Sequence, residues 1–297
     1  MKKYNFATID IGGTNTRFAI FDQDKIVKKI RFTTDVNNYK KVLDKILDLV
    51  DQYKINAIAL CIPGPADYSK GIILSSPNLV GWNGINIKDY LLNNSQLEYA
   101  IFENDANAMA FANHIHFKNN KKGVTQFYTI STGFGAGLVI NNKIFHGVKG
   151  FAQEIAHIPT SKTFNRKHHL NNYAAELFAS GTGMSLRAQD KNLEFVDAKS
   201  IIANYDKNQN YREIVDDCID TIARTIATTI GMLNPNLIVF GGSVAEYNYW
   251  IIEKAIKKAK LWTNQDQWNC VEFKKDVFGD DSALFGLYYL IVEKTKK

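Results

Sequence analysis

The chain has 297 residues, of which 45% are hydrophobic and 22% are charged. This composition is close to average globular usage and excludes intrinsically disordered, collagen-like and coiled-coil classes. At about 150 residues per domain, the length suggests two domains, each large enough to bury a core. The net charge of +6 is scattered along the chain, so we expect no nucleic-acid partner.

The cysteines and the apolar runs indicate the cellular compartment. Cys61, Cys218 and Cys270 lie far apart without metal-type spacing, which argues against a disulfide framework and a zinc ribbon and favours a reducing compartment. The apolar stretch behind Lys2 and Lys3 is too short for a signal peptide. No run approaches the roughly 20 apolar residues of a membrane span. We therefore expect a cytoplasmic protein that does not enter a membrane.

The first third of the chain predicts a mixed sheet that carries helices. Strand patterns rich in β-branched and aromatic residues cover residues 6–10, 17–21 and 26–32. The links between them are too short for a parallel crossover, which predicts an antiparallel meander rather than a dinucleotide-binding domain. The other predicted elements here are a helix around residues 42–50 and apolar strands at 57–62 and 99–103.

From about residue 120 the same plan repeats, which predicts two related α/β lobes. We assign residues 1–117, joined by a C-terminal helix at 282–297, to the first lobe and residues 118–281 to the second. The predicted strands of the second lobe are 127–130, 138–140, 143–145 and 236–240, with a glycine-rich turn between the first two. Its predicted helices are 211–233, with an apolar stripe, and 247–260.

The segment Asp10-Ile-Gly-Gly-Thr-Asn-Thr-Arg17 predicts a phosphate-binding hairpin. Gly12 and Gly13 let backbone N–H groups approach an anion, and Thr14 adds a hydroxyl donor. Asp10 is suited to hold Mg²⁺, through water. An ordinary β-hairpin turn with an incidental aspartate is the alternative.

A second segment of this kind, Ser131-Thr-Gly-Phe-Gly-Ala-Gly-Leu138, also lies between two predicted strands. Two such hairpins, one in each lobe, favour binding of a polyphosphate. The chain lacks a Gly-Lys dipeptide, so it has no Walker loop, and neither segment opens a helix as a dinucleotide fingerprint requires.

Between the two hairpins, Glu103-Asn-Asp-Ala-Asn107 follows an apolar strand and opens a helical pattern. This places Asp105 where a carboxylate can accept a proton from a substrate hydroxyl. A helix cap supplied by Asn104 or Asp105 is the alternative. Further polar and aromatic candidates for a polyhydroxylated ligand lie in segments 63–65, 76–82 and 154–157 and at Glu176.

These motifs, in this order, resemble the ROK sugar kinases of the actin-like ATPase superfamily. The likeness runs through Asp10–Thr14, Glu103–Asp105, Thr132–Gly137, Glu154–His157, Leu237–Ser243 and Asp281–Gly286. The resemblance implies an α/β, two-lobed, ribonuclease H-like fold with ATP and a sugar in a central cleft. It also implies a homodimer that transfers the γ-phosphoryl group to a sugar hydroxyl, most often O6.

The resemblance also implies roles for individual residues. Asp105 matches the catalytic base, which agrees with its position after a strand. The positions that match sugar ligands or the substrate loop are Asn78, Gly81, Asn104, Glu154, His157 and Glu176. Those that match ATP-binding turns are Asp10, Gly12, Gly13, Thr14, Thr132, Gly133, Gly135, Gly241 and Gly242.

Two departures from the family pattern matter. Many members bind a structural zinc through one histidine and three cysteines, but residues 158–175 contain no cysteine. We therefore expect no zinc and interpret His157 as a sugar ligand or a loop histidine. Gln153 stands where the family commonly has glycine, so either the local loop or the sugar pocket differs.

The substrate stays open at this point. Glucose is the first candidate, followed by N-acetylmannosamine, then fructose and β-glucosides, because a few relocated hydrogen bonds separate these sugars. A sugar-sensing regulator of the same family would carry a helix-turn-helix ahead of the first hairpin, and the strand pattern begins at Phe6. An actin-like chaperone or filament would not need Glu154, His157 and Glu176 around a sugar-sized site.

Overall fold

The computed structural model describes residues 5–76, 79–119, 123–165 and 168–296. The strands, in chain order, are β1 (Phe6–Ile11), β2 (Asn15–Asp22), β3 (Lys25–Thr33), β4 (Ala57–Cys61), β5 (Ala66–Asp67), β6 (Ile72–Ile73), β7 (Tyr99–Glu103), β8 (Val124–Ile130), β9 (Phe134–Ile140), β10 (Lys143–Ile144), β11 (Leu237–Gly241) and β12 (Glu272–Lys275).

The helices complete the architecture. In chain order they are α1 (Tyr39–Gln52), α2 (Ile87–Asn93), α3 (Asp105–His116), α4 (Glu176–Ala179), α5 (Gly181–Asp190), α6 (Ala198–Ala203), α7 (Gln209–Leu233), α8 (Ser243–Tyr247), α9 (Tyr249–Lys260), α10 (Gln265–Trp268) and α11 (Ser282–Thr295). Within the described ranges, no helix is long and apolar enough to cross a membrane.

The chain divides into two compact units. The first comprises residues 1–117, 144–152 and 280–297, and the second comprises residues 118–143 and 153–279. The sequence analysis placed segment 144–152 in the second lobe, and that assignment is wrong. The segment belongs to the first unit because the His146 ring bonds Glu103 and the Gly150 backbone lies against the Tyr68 ring.

The first unit is built on a sheet with strand order β3-β2-β1-β4-β7. The β1–β2 and β2–β3 pairs are antiparallel, as the short links predict, while β1–β4 and β4–β7 are parallel. Helix α1 begins at Asn38, whose side chain caps the helix by accepting a bond from the Lys41 N–H. Its apolar stripe, including Ile46 and Leu49, is buried against this sheet.

Helices α3 and α11 pack closely against each other in the first unit. A Cβ atom at Gly286 would lie 1.8 Å from the Ala108 carbonyl oxygen, so only glycine permits this approach. Ala108 of α3 and Ala283, Leu287 and Ile291 of α11 are buried together beneath β4. This packing fixes α3, and with it the position of Asp105 at the start of that helix.

The second unit repeats the strand arrangement with the order β10-β9-β8-β11-β12. The β8–β9 pair is antiparallel, and β8–β11 and β11–β12 are parallel. Helix α7 buries the predicted stripe, with Ile214, Cys218 and Ile226 fully enclosed. Each such isoleucine contributes about 1.5–3 kcal/mol of transfer free energy.

Two elements of the second unit begin at other residues than the sequence predicts. Strand β9 begins at Phe134, so Gly135 and Gly137 are ladder residues, paired with Thr129 and Phe127, rather than turn residues. The predicted helix 247–260 is α9, which begins two residues later, at Tyr249; Tyr247 ends the separate helix α8, and Asn248 between them is non-helical. Glycine-rich and helical sequence patterns alone do not locate the first residue of such an element, because it depends on neighbouring strands and side chains.

Candidate active site

The carboxyl ends of the parallel strands in the first unit gather several acidic groups. Asp10 at the end of β1 pairs in register with Cys61 of β4, and Cys61 pairs with Glu103 of β7. Asn104 and Asp105 follow Glu103 directly. Because the carboxyl ends of parallel strands meet at one edge, the Asp10 carboxylate shares this edge of the sheet with those of Glu103 and Asp105, which lie more than 90 residues away in the sequence.

The first predicted hairpin connects β1 to β2 beside this edge. The Gly12 N–H donates to the Asn15 carbonyl at 3.0 Å, which closes the turn. A Cβ atom at Gly12 would stand 3.2 Å from that oxygen, and Thr14 is exposed. The turn borders a cavity of about 460 Å³, lined by Asp10, Gly12, Gly13, Thr14, Asn15, Arg17, Lys29, Arg31 and Asp280.

The cationic side chains that line this cavity are not predicted from the sequence. Arg17 pairs in register with Asp10 on one side and with Arg31 on the other. Its Nε donates to Asp10 Oδ2 at 3.0 Å, and its guanidinium also bonds the Asp280 carbonyl. Lys29 bonds Asp281 at 2.6 Å. The alternation of Lys29 and Arg31 along β3 is the pattern that could have placed both cations on this face.

Asp105 occupies the first turn of α3. Its Oδ1 accepts the Ala106 N–H at 2.8 Å, and its side chain is accessible to solvent. The surrounding protein displaces water from the Asp105 carboxylate, and this desolvation raises its pKa above the ordinary value. The negative charge of Asp10 raises the pKa further. A raised pKa makes this carboxylate a stronger proton acceptor.

Asn104 is the N-cap of α3, because its side-chain oxygen accepts the Asn107 N–H at 3.2 Å. The capping interpretation of this motif is therefore correct for Asn104. The cap at Asn104 does not exclude the base role predicted for Asp105, since Asn104 fixes the turn that presents Asp105.

The second predicted hairpin, Ser131–Gly133 between β8 and β9, is held from behind by a carboxylate. Glu176 at the start of α4 accepts the Phe134 N–H at 2.9 Å. A Cβ atom at Gly133 would stand 2.9 Å from the same Glu176 oxygen. The lack of a side chain at Gly133 therefore allows Glu176 to approach closely. Thr132 at the tip of the turn is exposed.

The N-terminus of α5 completes this support. The Gly181 and Thr182 N–H groups donate to the carbonyls of Ser131 and Thr132 at 2.8 and 3.1 Å. Ser180 caps α5 and also donates to the Glu176 carbonyl. The sequence singles out Glu176 and the segment that it opens, but not the helix N-terminus, which the capping pattern of the small residues at 180–183 could have located.

Gly241 ends β11, where it pairs with Thr129 of β8, and Gly242 connects the strand to α8. Gly242 has φ = 84°, in the region that favours glycine, and a Cβ atom there would lie 2.5 Å from the Ile130 carbonyl oxygen. Beside this turn is a cavity of about 550 Å³, bordered by Ser243, Val244, Tyr247 and residues of α6.

A family model described as the ROK family matches residues 6–294. The chain belongs to the ROK family. The N-acetyl-D-glucosamine kinase of Mannheimia succiniciproducens is 26% identical to this chain, over 96% of this chain and 98% of that protein.

Solved ROK structures share the fold. The ROK hexokinase from Thermus thermophilus superimposes with a TM-score of 0.86 at 21% identity, covering 98% of this chain and 99% of that chain. A ROK glucokinase from Streptomyces griseus, in complex with glucose and AMPPNP, gives a TM-score of 0.77 at 20% identity, covering 97% of this chain and 99% of that chain. The predicted α/β, actin-like ATPase fold is thereby confirmed.

The segment predicted to match the substrate loop of the family lies only partly within the described residues. Asn78 lies outside the described residues. Gly81 packs its backbone on Asn37, where a Cβ atom would meet the carbonyl oxygen at 2.2 Å. Trp82, expected to offer an aromatic ring to a ligand, is fully buried, and its indole N–H donates to the Asp35 carbonyl. That expectation is wrong because the ring belongs to the core of the first unit.

The ROK segment 153–157 is exposed in the second unit. Glu154 and His157 are both exposed, at the two ends of a one-turn helix. Gln153 has φ = 69°, which explains why glycine suits this position. The Gln126 amide donates to Gln153 Oε1 at 2.8 Å and stabilises the loop in this left-handed conformation.

The ligand chemistry of the first cavity fits a Mg²⁺-bound polyphosphate. Arg17, Lys29 and Arg31 supply positive charge, the Gly12–Gly13 turn exposes backbone, and Asp10 supplies the carboxylate oxygen that Mg²⁺ prefers. Within the described ranges, no group of three or more His, Cys, Asp and Glu side chains is arranged to hold a metal ion. The absence of zinc remains a prediction.

Proposed function

We propose that this protein is an ATP-dependent sugar kinase that phosphorylates a hexose or amino sugar, with glucose as the first acceptor and O6 as the reacting oxygen. Sugar kinase activity is what its ROK membership and its kinase relatives support. The observation that carries the proposal is Asp105, an accessible carboxylate of raised pKa at the same sheet edge as Asp10 and the cationic cavity.

Asp105 acts as the base. It accepts the proton of the sugar hydroxyl as that oxygen forms a bond to the γ-phosphorus. The bond between the γ-phosphorus and the β,γ-bridging oxygen breaks, and its electron pair leaves with ADP. The N-cap at Asn104 holds the turn that presents Asp105, so little reorganisation is needed during transfer.

The first hairpin receives the phosphates. Backbone N–H groups near Gly12 and Gly13, with the guanidinium groups of Arg17 and Arg31, neutralise the phosphate charge. Asp10 would hold Mg²⁺, through water, and the ion would neutralise charge that develops on the transferred group.

Most of the remaining ROK positions lie in the second unit. We assign Thr132, Gly133 and Gly135 to the phosphates and Gly241 and Gly242 to the adenosine. The cavity beside Gly242 has room for a nucleoside. Glu154, His157 and Glu176, with Asn78, Gly81 and Asn104 of the first unit, are assigned to the sugar side.

Other acceptors compete with glucose. N-acetylmannosamine is the second candidate, followed by fructose and β-glucosides, because small changes in hydrogen bonding decide among them. We also propose a cytoplasmic homodimer that binds neither zinc nor nucleic acid.

The decisive experiment is ADP release coupled to NADH oxidation with Mg-ATP and a panel of sugars. The panel contains glucose, N-acetylmannosamine, N-acetylglucosamine, mannose, fructose and a β-glucoside. Asp105→Asn is expected to lower turnover on the preferred sugar by about 10²–10⁴-fold while nucleotide binding is kept.

The matched control is Asp48→Asn, an exposed aspartate on α1, which should leave turnover unchanged. Near wild-type turnover by Asp105→Asn would reject the base assignment. Nucleotide binding without turnover on any sugar would reject the kinase proposal in favour of a binding role.

A further inference from the structure

The buried carboxylate of Glu103 has bonding partners at both of its oxygens. Oε1 accepts the Asn104 backbone N–H at 2.9 Å and the Asn107 side-chain amide at 3.0 Å. Oε2 lies 2.7 Å from His146 Nε2. A carboxylate only accepts, so the His146 ring must carry a proton on Nε2. Glu103 therefore connects His146 to the turn that begins α3.

The two partners differ in their access to water. The Glu103 side chain is 7% exposed, whereas the His146 side chain is 42% exposed. His146 lines a cavity of about 590 Å³, together with Asp67, Tyr68, Lys149 and Phe151. Water can therefore reach the imidazole and exchange its proton, while the carboxylate remains enclosed.

Electrostatics favour the charged form of this histidine. The hydrogen bond to Glu103 raises the pKa of His146; burial opposes that shift, and the negative charge of Glu103 adds to it. Of the other charged groups on this cavity, Asp67 lies on the β5–β6 hairpin and Lys149 on the segment of His146 itself. They carry opposite charges, and Glu103 is the group bonded to the ring.

We propose that His146 is a positioning residue, whose ion pair with Glu103 holds the Asn104–Asp105 turn in the geometry that phosphoryl transfer requires. This inference rests on the proposed kinase function. Without the imidazolium, an almost fully buried carboxylate oxygen would lose its charged donor, which is costly. Glu103 would then turn toward water, and its bonds to Asn104 and Asn107 would weaken.

The kinetic test compares His146→Ala and His146→Gln in the full chain. We expect His146→Ala to lower kcat about tenfold with KM for Mg-ATP within about twofold, because a displaced base slows chemistry more than binding. The glutamine amide still donates a hydrogen bond, so His146→Gln should recover kcat to within about threefold of wild type. The control is His116→Gln, an exposed histidine at the far end of α3, which should match wild type.

The pH profile separates positioning from simple packing. Because the pKa of His146 is raised, the ion pair is complete at pH below the ordinary histidine value of about 6.5 and is lost as pH rises through the raised value. Wild-type kcat should therefore decrease at alkaline pH by up to about threefold, to the level of His146→Gln, whose own kcat should not show this decrease. Wild-type kcat in His146→Ala, or the same alkaline decrease in His146→Gln, would overturn the proposal.

A measurement that needs no turnover tests the pair itself. The ring C–H resonance of His146, assigned by its loss in His146→Gln, is titrated by NMR in wild type and in Glu103→Gln. The pKa of His146 should be lower in Glu103→Gln. An unchanged pKa of His146 in Glu103→Gln would show that the ion pair does not form, even if the enzyme phosphorylates sugars. If no sugar is phosphorylated but the pKa is shifted, the kinase function is rejected and the ion pair stands. If Glu103→Gln does not fold, the raised pKa in wild type and the kinetic variants of His146 decide the matter.

Discussion

The two glycine hairpins follow the same plan of strand, turn and antiparallel strand, yet their surroundings differ. The hairpin at Gly12–Thr14 faces a cavity with three cationic side chains. The hairpin at Ser131–Gly133 is held by the Glu176 carboxylate and by N–H groups of α5. One hairpin thus faces three cationic and two acidic side chains, and the other is held in place by hydrogen bonds.

This difference shows that two turns of similar sequence can be suited to different tasks. Guanidinium and ammonium groups attract and neutralise phosphate. A turn whose carbonyls are already bonded to a helix N-terminus cannot move without breaking those bonds, so it contributes fixed geometry. Substitutions at each hairpin and a change in salt concentration can separate charge neutralisation from fixed geometry.

Arg17→Gln should weaken Mg-ATP binding about 10–100-fold, because charged hydrogen bonds are worth about 1.5–3 kcal/mol. The substitution removes a cation from the cavity and the partner of Asp10. Titration calorimetry measures the effect, with Arg212→Gln as the control because Arg212 is a half-exposed arginine of the second unit that pairs with Asp206. Equal binding by Arg17→Gln and wild type would show that the cationic cavity is not the phosphate site.

Glu176→Ala should lower the free energy of unfolding by about 1 kcal/mol, because the Phe134 N–H loses its acceptor. Glu176→Gln keeps an acceptor oxygen and should stay within about 0.5 kcal/mol of wild type. Urea unfolding of both variants tests the support given to the second hairpin. If both are as stable as wild type, the carboxylate does not brace the turn.

Salt should distinguish the two hairpins. The affinity of wild type for Mg-ATP is expected to fall about three- to tenfold between 0.05 and 0.5 M NaCl, since exposed charges are screened. Arg17→Gln should show a shallower salt dependence, whereas Glu176→Gln should keep the wild-type slope. Identical slopes in all three proteins would argue against a charge-based role for the first hairpin.

Lys29→Gln should have the smallest effect. Lys29 is half-exposed and pairs with Asp281, and such surface pairs contribute about 0–1 kcal/mol. We expect KM for Mg-ATP to rise about two- to threefold and the melting temperature to change by less than about 2 °C. A loss as large as that of Arg17→Gln would mean that Lys29 contacts the phosphates directly.

Much of the fold could be predicted from local patterns. The antiparallel meander of the first unit follows from turns too short for any other connection, and the stripe of α7 is buried as its spacing indicates. The start of β9 could not be predicted, because Gly135 and Gly137 have low strand propensity and are held in the ladder by β8.

The candidate site was predicted unevenly. Asp105 follows from its place after an apolar strand. Arg31 did not follow, because its importance depends on register with Arg17 across two strands. Trp82 was wrongly expected to face a ligand, since sequence alone does not tell which side of a loop packs on the core.

The sequence by itself determined the strand periodicity, the two glycine hairpins, the base candidate and the resemblance to ROK kinases, because each depends on residues near one another in the chain. Tertiary structure alone decided that segment 144–152 joins the first unit and that His146 pairs with Glu103. It also decided that Glu176 braces the second hairpin. These contacts join residues more than 40 positions apart, and only packing of the whole chain determines which distant groups meet.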